Sequence, residues 1–384
     1  MKQWNLPSWP QWNEEEKAAL SRVLDAGQWG TLGDEAMLFA QEFAAFIGVP
    51  YAIPVNNGTQ ALELLLRGAG VGYGDEVIVP SYTFAATVSA VAMTGAYPVF
   101  ADVDAATGCI SAASVRKAVT RRTRAIIPMH MGGRPCDMDA LCALSRETGI
   151  PLIEDAAHAP GCAWQNQKCG AIGLGAAFSF QRSKTLTAGE GGAIVTGDRR
   201  LYESCWHHHN SGRPIAGADG GLLGGRMLQG TNGRMAEWEA AILRIQLKRL
   251  PAQNEKRARG AKILNALLAD SPLQLPPDDP RITMNGHFLY CLRMEENRDA
   301  LLARLQQAGL PAAPGYRPVH RMGMMTCPEM LKAAGKAPSI PDQGLENTLR
   351  LSETALWLPG YVLLSDEETL HSIGAFIADT AKNI

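Results

Sequence analysis

Short apolar runs alternate with stretches of helical periodicity from residue 51 onward, and this alternation limits the folds open to the chain. The runs that carry the pattern lie at 51–55, 76–79, 97–101, 124–129 and 151–153. Runs without regular polar positions are typical of strands buried on both faces. Helices between such strands favour a parallel sheet with right-handed crossovers. The alternation therefore predicts an α/β fold with a mostly parallel sheet.

The pattern changes after about residue 260, where a proline-rich stretch at 271–280 interrupts the alternation. A chain of 384 residues is also longer than one ordinary domain. We predict a large α/β domain with an N-terminal arm at 1–250 and a smaller α+β domain at 251–384.

Helix ends carry their own signals. Asn13 precedes a predicted helix with three glutamates in its first turn, where a carboxylate complements the helix dipole. A long helix is predicted over 237–259, with Pro251 as the point where it kinks or splits. The tetrapeptide Ser-Asp-Glu-Glu at 365–368 predicts a capping box, with Ser365 as the cap of a final amphipathic helix.

Charge and cysteine content argue against several classes of partner. A net charge of −2 and an isoelectric point near 6.5 give no electrostatic case for nucleic acid or an anionic membrane. Eight scattered cysteines without a CxxC pair indicate free thiols in a reducing compartment. The N-terminus lacks the apolar segment of a signal peptide, and no stretch approaches the ~18 apolar residues of a membrane span. We therefore expect a cytoplasmic protein.

Three consecutive histidines at 207–209 raise the question of a metal. In an extended segment, which we expect here, adjacent side chains point to opposite faces, so three in a row rarely bind one ion. We expect structural or substrate-loop histidines and no bound metal.

Lys184 follows the apolar run at 177–180 and precedes Gly189, Gly191 and Gly192. These glycines permit the positive φ angles of a tight return into a second strand. Such a turn would hold an amine rigidly at the end of a strand. For an isolated lysine, a solvated surface turn is the commoner interpretation.

Two further polar groups fall at strand ends, where open parallel sheets bind ligands. Residues 56–60 (NNGTQ) end a strand and open a helix, whose N-terminus makes an anion site, although Asn-Gly is also an ordinary turn. Asp155 follows the run at 151–153, with His158 three residues on. A carboxylate buried at such a strand end needs a cation or a hydrogen-bond donor, and a structural salt bridge could supply it equally well. Together with Lys184, these groups match the phosphate, ring-nitrogen and Schiff-base requirements of pyridoxal 5′-phosphate (PLP).

Seven segments resemble, in order, the signature blocks of the DegT/StrS family of sugar aminotransferases. They are NNGTQALELLL, GDEVIVPSYTFAAT, PVFADVD, IIPMHMGGRPCDMDAL, PLIEDAAHAPG, FSFQRSKTLTAGEGG and GTNGRMAEWEAA. Members of this family are PLP-dependent homodimers of fold type I. The opening WPQW, the GQWGTLGDE loop and FSFQ are similar to a subgroup that contains 3-amino-5-hydroxybenzoate synthases and cyclitol aminotransferases with glutamine as donor. The Arg182-Ser183 pair departs from the commonest form of the lysine motif.

The resemblance implies roles at the cofactor. Lys184 would be the Schiff-base lysine, Asp155 the partner of the pyridine nitrogen, and His158 would lie near the ring's O3 side. The remaining cofactor contacts implied are phosphate contacts from Gly58, the Thr59 and Gln60 backbone N–H groups and the Ser179 hydroxyl, ring stacking by Phe84, and a contact from Asn232 to the phosphate of the neighbouring subunit.

The contact from Asn232 would make each active site of the homodimer a shared one. For the acceptor, the resemblance and the loop positions indicate contacts from Trp29, Gln181, Arg213 and His320. A structural role is the alternative for His320.

The activity implied is transfer of an amino group from glutamate or glutamine to a keto sugar or keto cyclitol in sugar, cyclitol or antibiotic biosynthesis. The alternative is a dehydratase and aromatase of the 3-amino-5-hydroxybenzoate synthase type. The family's sugar dehydratases carry histidine at the lysine position, so Lys184 argues against that class. A non-catalytic regulator is the lesser alternative. The acceptor, the donor and the pathway stay open.

Overall fold

The computed structural model describes residues 4–30, 33–215, 229–326 and 342–384. Nine strands lie within the described part of residues 1–196. They are β1 (Tyr51–Val55), β2 (Glu76–Pro80), β3 (Tyr97–Ala101), β4 (Thr123–Ile126), β5 (Ile153–Asp155), β6 (Ala163–Trp164), β7 (Gln167–Lys168), β8 (Gly175–Ser179) and β9 (Gly192–Thr196). The helices among them are α1 (Glu14–Ala26), α2 (Glu35–Ile47), α3 (Gly58–Gly68), α4 (Ala85–Met93), α5 (Ala112–Ala118), α6 (Met138–Thr148) and α7 (Arg199–His209).

Seven of these strands form a continuous central sheet. Strands β1, β9, β8 and β5 are hydrogen bonded in that order, and β3, β2 and β4 form a second set. Parallel bridges from Ile126 to Leu152 and from Met129 to Asp155 join the two sets through β4 and β5. Among the seven strands of this sheet that the structure describes, only β9 runs against its neighbours, and both β1 and β8 pair with it in antiparallel fashion. The predicted α/β fold with a mostly parallel sheet is confirmed.

Strand β8 shows why its run is apolar throughout. Ala177 packs into a core with the α3 leucines on one face, whereas Phe178 packs with Phe39 and Phe43 of α2 on the other. Successive side chains of a strand point to opposite faces, so a strand covered by helices on both sides has no solvent-facing position.

The C-terminal half builds a separate core. Its elements are α8 (Glu237–Leu268), β10 (Ile282–Met284), β11 (Leu289–Arg293), α9 (Arg298–Gln307), β12 (Ala313–Pro314), α10 (Glu346–Thr354), β13 (Ala355–Pro359) and α11 (Glu367–Lys382). Strands β11, β13 and β12 form an antiparallel sheet in that order. Leu264, Leu292, Leu358 and Ile373 belong to one buried cluster that joins this sheet to α8 and α11.

Helix α8 is longer than predicted and continues through Pro251. Its first half packs in the core of the central sheet through Leu243 and Leu250, and its second half packs in the C-terminal core through Leu264 and Leu268. Packing at both ends compensates for the backbone hydrogen bond that a proline removes. The predicted domain boundary at 250/251 falls inside this helix, and the division of the chain stays a prediction.

Two local predictions were wrong. The cap of α11 is Asp366, whose carboxylate accepts a hydrogen bond from the Thr369 N–H at 2.7 Å, and Ser365 lies outside the helix. Residues 207–209 form the last turn of α7 and not an extended segment. The N-terminal prediction is confirmed, since Asn13 and Glu16 form a capping box at the start of α1. Within the described ranges, no helix has both the length and the apolar character needed to cross a membrane.

Candidate active site

Asp155 lies at the carboxyl end of β5, near the middle of the central sheet. Its backbone is held from one side, because its N–H donates to the Pro128 carbonyl at 2.8 Å and its carbonyl accepts from the His130 N–H at 3.2 Å. Its carboxylate accepts from the Thr87 hydroxyl at 2.7 Å and from the Ala157 N–H at 3.2 Å. Burial raises the pKa of Asp155, while the Thr87 and Ala157 hydrogen bonds and the charge of Lys184 oppose that rise.

Lys184 follows β8 in a tight turn. Its N–H donates to the Gln181 carbonyl at 2.8 Å, and the Gln181 side chain accepts two hydrogen bonds from Ser183, each 2.8 Å long. The amine lies 4.6 Å from the centre of the Phe288 ring. Burial lowers the pKa of Lys184 to about 8, against the opposing charge of Asp155. An amine with this pKa is partly neutral near physiological pH and can therefore act as a nucleophile.

His158 lies beside the lysine with an unsatisfied ring nitrogen. The ring centre is 4.2 Å from that of Phe288, and the ring is nearly parallel to Tyr316 at 6.5 Å. Its Nδ1 is buried and has no partner among the described residues. Burial and then the charge of Lys184 hold the pKa of His158 well below its usual value, so the ring is neutral. Buried polar atoms without a partner are rare, and His158 Nδ1 is therefore available for a hydrogen bond to a ligand.

Helix α3 begins at the end of β1 and presents its first turn to the same region. Asn57 caps the helix, because its side-chain oxygen accepts from the Gln60 N–H at 2.8 Å. The Gln60 N–H thus donates to the cap of its own helix, and its contact with a phosphate stays a prediction. The Thr59 N–H makes no hydrogen bond in the part of the chain described and remains available to an anion.

Gly58 and Ser179 bring this helix against the end of β8. A Cβ atom on Gly58 would lie 2.7 Å from the Ser179 Cβ, so only glycine allows the close approach. The Ser179 oxygen accepts a long hydrogen bond of 3.5 Å from the Gln181 N–H, which leaves its proton free for an anion. Gly192 of β9 pairs with Val55 on one side and with Ser179 on the other. The start of α3, Ser179 and the turn that carries Lys184 therefore lie side by side at the same edge of the central sheet.

Phe84 immediately precedes α4 and is 57 % exposed. Its ring centre is 6.3 Å from that of Tyr316, which also neighbours His158. An exposed aromatic side chain beside buried titratable groups can cover a planar ligand. The structure thus brings Phe84, His158, Asp155 and Lys184 into one neighbourhood.

The model of the DegT/DnrJ/EryC1/StrS aminotransferase family matches residues 10–376 of the sequence. The chain belongs to this family of aminotransferases. It is 41 % identical over 382 residues to 3-amino-5-hydroxybenzoate synthase of Amycolatopsis mediterranei (strain S699), with 97 % of each chain covered. It is 38 % identical to L-glutamine:2-deoxy-scyllo-inosose aminotransferase of Streptomyces paromomycinus, with 82 % of this chain and 78 % of the relative covered.

Solved structures give the same family. The crystal structure of 3-amino-5-hydroxybenzoic acid synthase superposes with a TM-score of 0.91 at 39 % identity, with 99 % of each chain covered. A putative sugar aminotransferase from Streptococcus pneumoniae, solved in a PLP form, superposes with a TM-score of 0.86 at 25 % identity, with 99 % of each chain covered.

Other residues that the family resemblance indicated are placed away from this neighbourhood or are already engaged. His320 is buried, with Nδ1 2.6 Å from the Ser81 hydroxyl and Nε2 2.9 Å from Asp342. Both ring nitrogens are thus used inside the chain, as the structural alternative for this histidine requires. Trp29 packs edge-on against Trp238 at 6.4 Å, at the start of α8. Arg213 and Asn232 are exposed.

Three side chains of this neighbourhood, Thr83, Thr87 and Phe288, were not predicted from the sequence. Thr83 and Thr87 lie behind Asp155, and Phe288 and Tyr316 form an aromatic wall beside His158 and Lys184. The aromatic wall comes from the distant C-terminal half and had no local signal.

A cavity of about 490 Å³ lies next to the lysine turn and borders the N-terminal arm and the aromatic wall. It is lined by Arg182 and Ser183 together with the aromatic rings of Trp9, Phe288, Tyr316, Trp357 and Tyr361. Another cavity, of about 500 Å³, lies between α8 and strands β10 and β11 and borders none of the predicted site residues. The first cavity is connected to the candidate site through Phe288 and Tyr316, which lie beside Lys184 and His158.

A buried cluster of His130, Glu154 and Cys169 has the composition of a metal site. Glu154 already accepts four hydrogen bonds, from His130 Nε2 at 3.0 Å and from the N–H groups of residues 170, 172 and 173 at 2.7–2.9 Å. His130 Nδ1 accepts from the Cys136 N–H at 3.1 Å, so Nε2 carries the proton. The hydrogen bonds account for this cluster without an ion.

Proposed function

We propose that this aminotransferase uses PLP to move an amino group from glutamate or glutamine to a keto sugar or keto cyclitol. The observation that carries the proposal is the convergence of the low-pKa amine of Lys184, the held carboxylate of Asp155 and the unpartnered Nδ1 of His158. The aldehyde of PLP would react with the Lys184 amine, and its ring nitrogen would donate a hydrogen bond to the Asp155 carboxylate. Its ring oxygen would form a hydrogen bond with His158 Nδ1.

Bound PLP would supply an electron sink for breaking the Cα–H bond of the amino donor. In this proposal Lys184 holds the cofactor covalently and, once released, moves a proton at the reacting carbon, which suits an amine with a pKa of about 8. Asp155 keeps the ring nitrogen protonated. The Thr59 N–H and the Ser179 hydroxyl bind the phosphate, and Phe84 covers the ring.

The cavity beside the lysine turn supports a ring-shaped acceptor. Its aromatic walls suit the flat C–H faces of a sugar or cyclitol, and Ser183 can bind a hydroxyl at its edge. The relative from Streptomyces paromomycinus is named for such a substrate, an inosose, and for glutamine as donor.

Arg182 favours a second candidate, an acceptor that carries a carboxylate. It is the charged side chain among the residues that line this cavity, and no ion pair to it is seen among the described residues. The Amycolatopsis relative is named for a benzoate, and a guanidinium binds a carboxylate with two parallel hydrogen bonds. This candidate is the aromatic-forming synthase.

Exposed aromatic side chains support a homodimer with shared active sites. Trp29 and Trp238 are 52 % and 40 % exposed and contact each other near the start of α8. Asn232 lies five residues before that helix and is also exposed. Exposed apolar patches of this kind mark protein interfaces. The free cysteines among the described residues agree with a reducing compartment, and the cytoplasm is our proposal for the location.

The first test is cofactor attachment. Wild-type protein is expected to be yellow and to retain the cofactor covalently after borohydride reduction, and Lys184→Ala is expected to lose that attachment. Lys168→Ala is the matched control, because Lys168 also lies over a phenylalanine ring, at 4.2 Å from Phe46, and burial also lowers its pKa. Folded wild-type protein without PLP would refute the proposal.

The second test separates the acceptors. Glutamate and glutamine should each be tried with keto sugars, keto cyclitols and an aminoshikimate-type carboxylate. Turnover of neutral rings that Arg182→Gln leaves unchanged would support the main proposal. A new aromatic absorbance that Arg182→Gln diminishes would support the synthase.

A further inference from the structure

A chain of two threonine hydroxyls ends on the carboxylate of Asp155. The Thr83 and Thr87 hydroxyl oxygens are 2.9 Å apart, and the Thr87 hydroxyl is 2.7 Å from Asp155 Oδ2. Both threonines are fully buried. An ionised carboxylate can only accept, so Thr87 donates its one proton to Asp155 and accepts from Thr83. The geometry sets the direction of both hydrogen bonds.

Thr87 shares with Thr348, whose hydroxyl donates to the Asp102 carboxylate at 2.8 Å, a hydrogen bond that leaves the helix, and it differs in this from three other helical threonines. Thr148, Thr354 and Thr380 each donate to the carbonyl oxygen four residues earlier in their own helices, at 2.8, 2.8 and 2.6 Å. This local bond is the usual one for a helical threonine. The Thr87 hydroxyl instead leaves its helix for a carboxylate 68 positions away in the sequence.

The carboxylate has few other constraints. Beyond Thr87, its side chain accepts only from the Ala157 N–H at 3.2 Å within the described residues. Burial raises the pKa of Asp155, and the hydrogen bond from Thr87 is the leading effect in the opposite direction. Thr87 donates to Oδ2 and the Ala157 N–H donates to Oδ1, so the carboxylate has one fixed donor on each oxygen. Such a carboxylate cannot rotate freely, and its remaining lone pairs have a set direction.

We propose that Thr87 is a positioning residue that keeps Asp155 ionised and oriented toward the ring nitrogen of the cofactor, with Thr83 orienting Thr87. This inference rests on the proposed PLP function. The start of helix α4 would then contribute two residues to cofactor binding. Phe84, which precedes the helix, covers the ring, and Thr87 one turn later fixes the carboxylate at its edge.

The test is Thr87→Val, which keeps the shape of the side chain and removes the hydroxyl. Apo-protein is titrated with PLP, and the absorbance of the bound cofactor is then followed against pH. We expect on the order of tenfold weaker PLP binding, the scale of one hydrogen bond to a charged group. Without the Thr87 hydroxyl, Asp155 should stabilise the positive charge of the ring nitrogen less, and that charge then opposes protonation of the neighbouring Lys184 nitrogen less. The pH midpoint of the absorbance change should therefore move upward by about one unit.

Three further variants separate positioning from folding. Thr87→Ser restores the hydroxyl and should recover most of the affinity. Thr354→Val removes another buried helical hydroxyl and should leave PLP binding and the pH midpoint within twofold and about 0.2 units of wild type, on the scale of a local bond. Thr83→Val should change the PLP affinity and the pH midpoint in the same direction as Thr87→Val, by a smaller amount. If Thr87→Val does not fold, Thr83→Val and Thr87→Ser together test the inference.

Unchanged PLP affinity and pH midpoint in folded Thr87→Val would overturn the inference, even if the variant melts at a lower temperature. That result with a PLP-binding wild type leaves the proposed function standing. A wild type that binds no PLP overturns the proposed function itself.

Discussion

The buried amine of Lys184 makes the stability of the apo-protein depend on pH. Its pKa is about 8 in the folded chain, against an ordinary value of 10.5. The unfolded chain therefore binds more protons between these values, and stability rises with pH across this window. Below pH 8 the full loss of stability from burying this amine is present, and the loss disappears as the pH approaches 10.5.

Lys184→Met is accordingly expected to stabilise the cofactor-free protein at pH 7 by about 1–3 kcal/mol. The gain should shrink toward pH 10, and urea unfolding at the two pH values measures it. Lys168→Met is the control and should gain less, since its side chain is less deeply buried. A gain that is independent of pH would contradict a role for desolvation.

Single site residues could be predicted where the signal is local. Lys184 and Asp155 each follow an apolar strand, and the sequence around them indicates their position. The cap from Asn57 to Gln60 is equally local, since asparagine commonly accepts from the N–H three positions on. The links from Thr87 to Asp155 and from Phe288 to Lys184 join distant parts of the chain, and only the packed fold creates them.

At the scale of elements, β1, β2 and β3 have nearly the predicted bounds, whereas β5 begins at Ile153 and extends two residues beyond the predicted 151–153. Strand β1 has the predicted bounds because a run buried on both faces must be apolar and ends where the burial ends. Helix α8 extends nine residues beyond the predicted 259. Its C-terminal part is held by contacts with β11 and α11, which no periodicity within the helix reports.

Gly260 explains how α8 packs on the turn at Gly360–Leu364. A Cβ atom at this position would collide with the backbone carbonyl of Leu363. Gly260→Ala is therefore expected to lower the free energy of unfolding by about 1–3 kcal/mol, although alanine is the better helix former. Gly374→Ala in α11 is the matched control. Its Cβ would meet the Leu267 side chain, which can move, so the loss should be smaller. Urea unfolding that ranks the two variants in the opposite order would contradict this packing argument.

At the scale of the molecule, the proposed shared site predicts complementation between subunits. Asn232→Ala and Lys184→Ala homodimers should each be nearly inactive. In a verified heterodimer, one site combines the intact Lys184 of one subunit with the intact Asn232 of the other, so up to about half of the wild-type activity should return. Heterodimers carrying two different affinity tags allow the measurement. No return of activity in pure heterodimers would refute the shared site.

The row formed by Val55, Gly192 and Ser179 has a consequence for the order in which the protein matures. Within one subunit, the proposed cofactor residues Thr59, Asp155 and Lys184 lie in the first 196 residues, whereas Asn232 lies beyond them and is proposed to serve the partner's site. The ends of β1 and β8 come into register only when β9 inserts between these two strands. A chain emerging from the ribosome folds its N-terminal part first. The residues proposed to bind the cofactor can thus come together before Phe288 and Tyr316 are synthesised, and the aromatic wall is added afterwards.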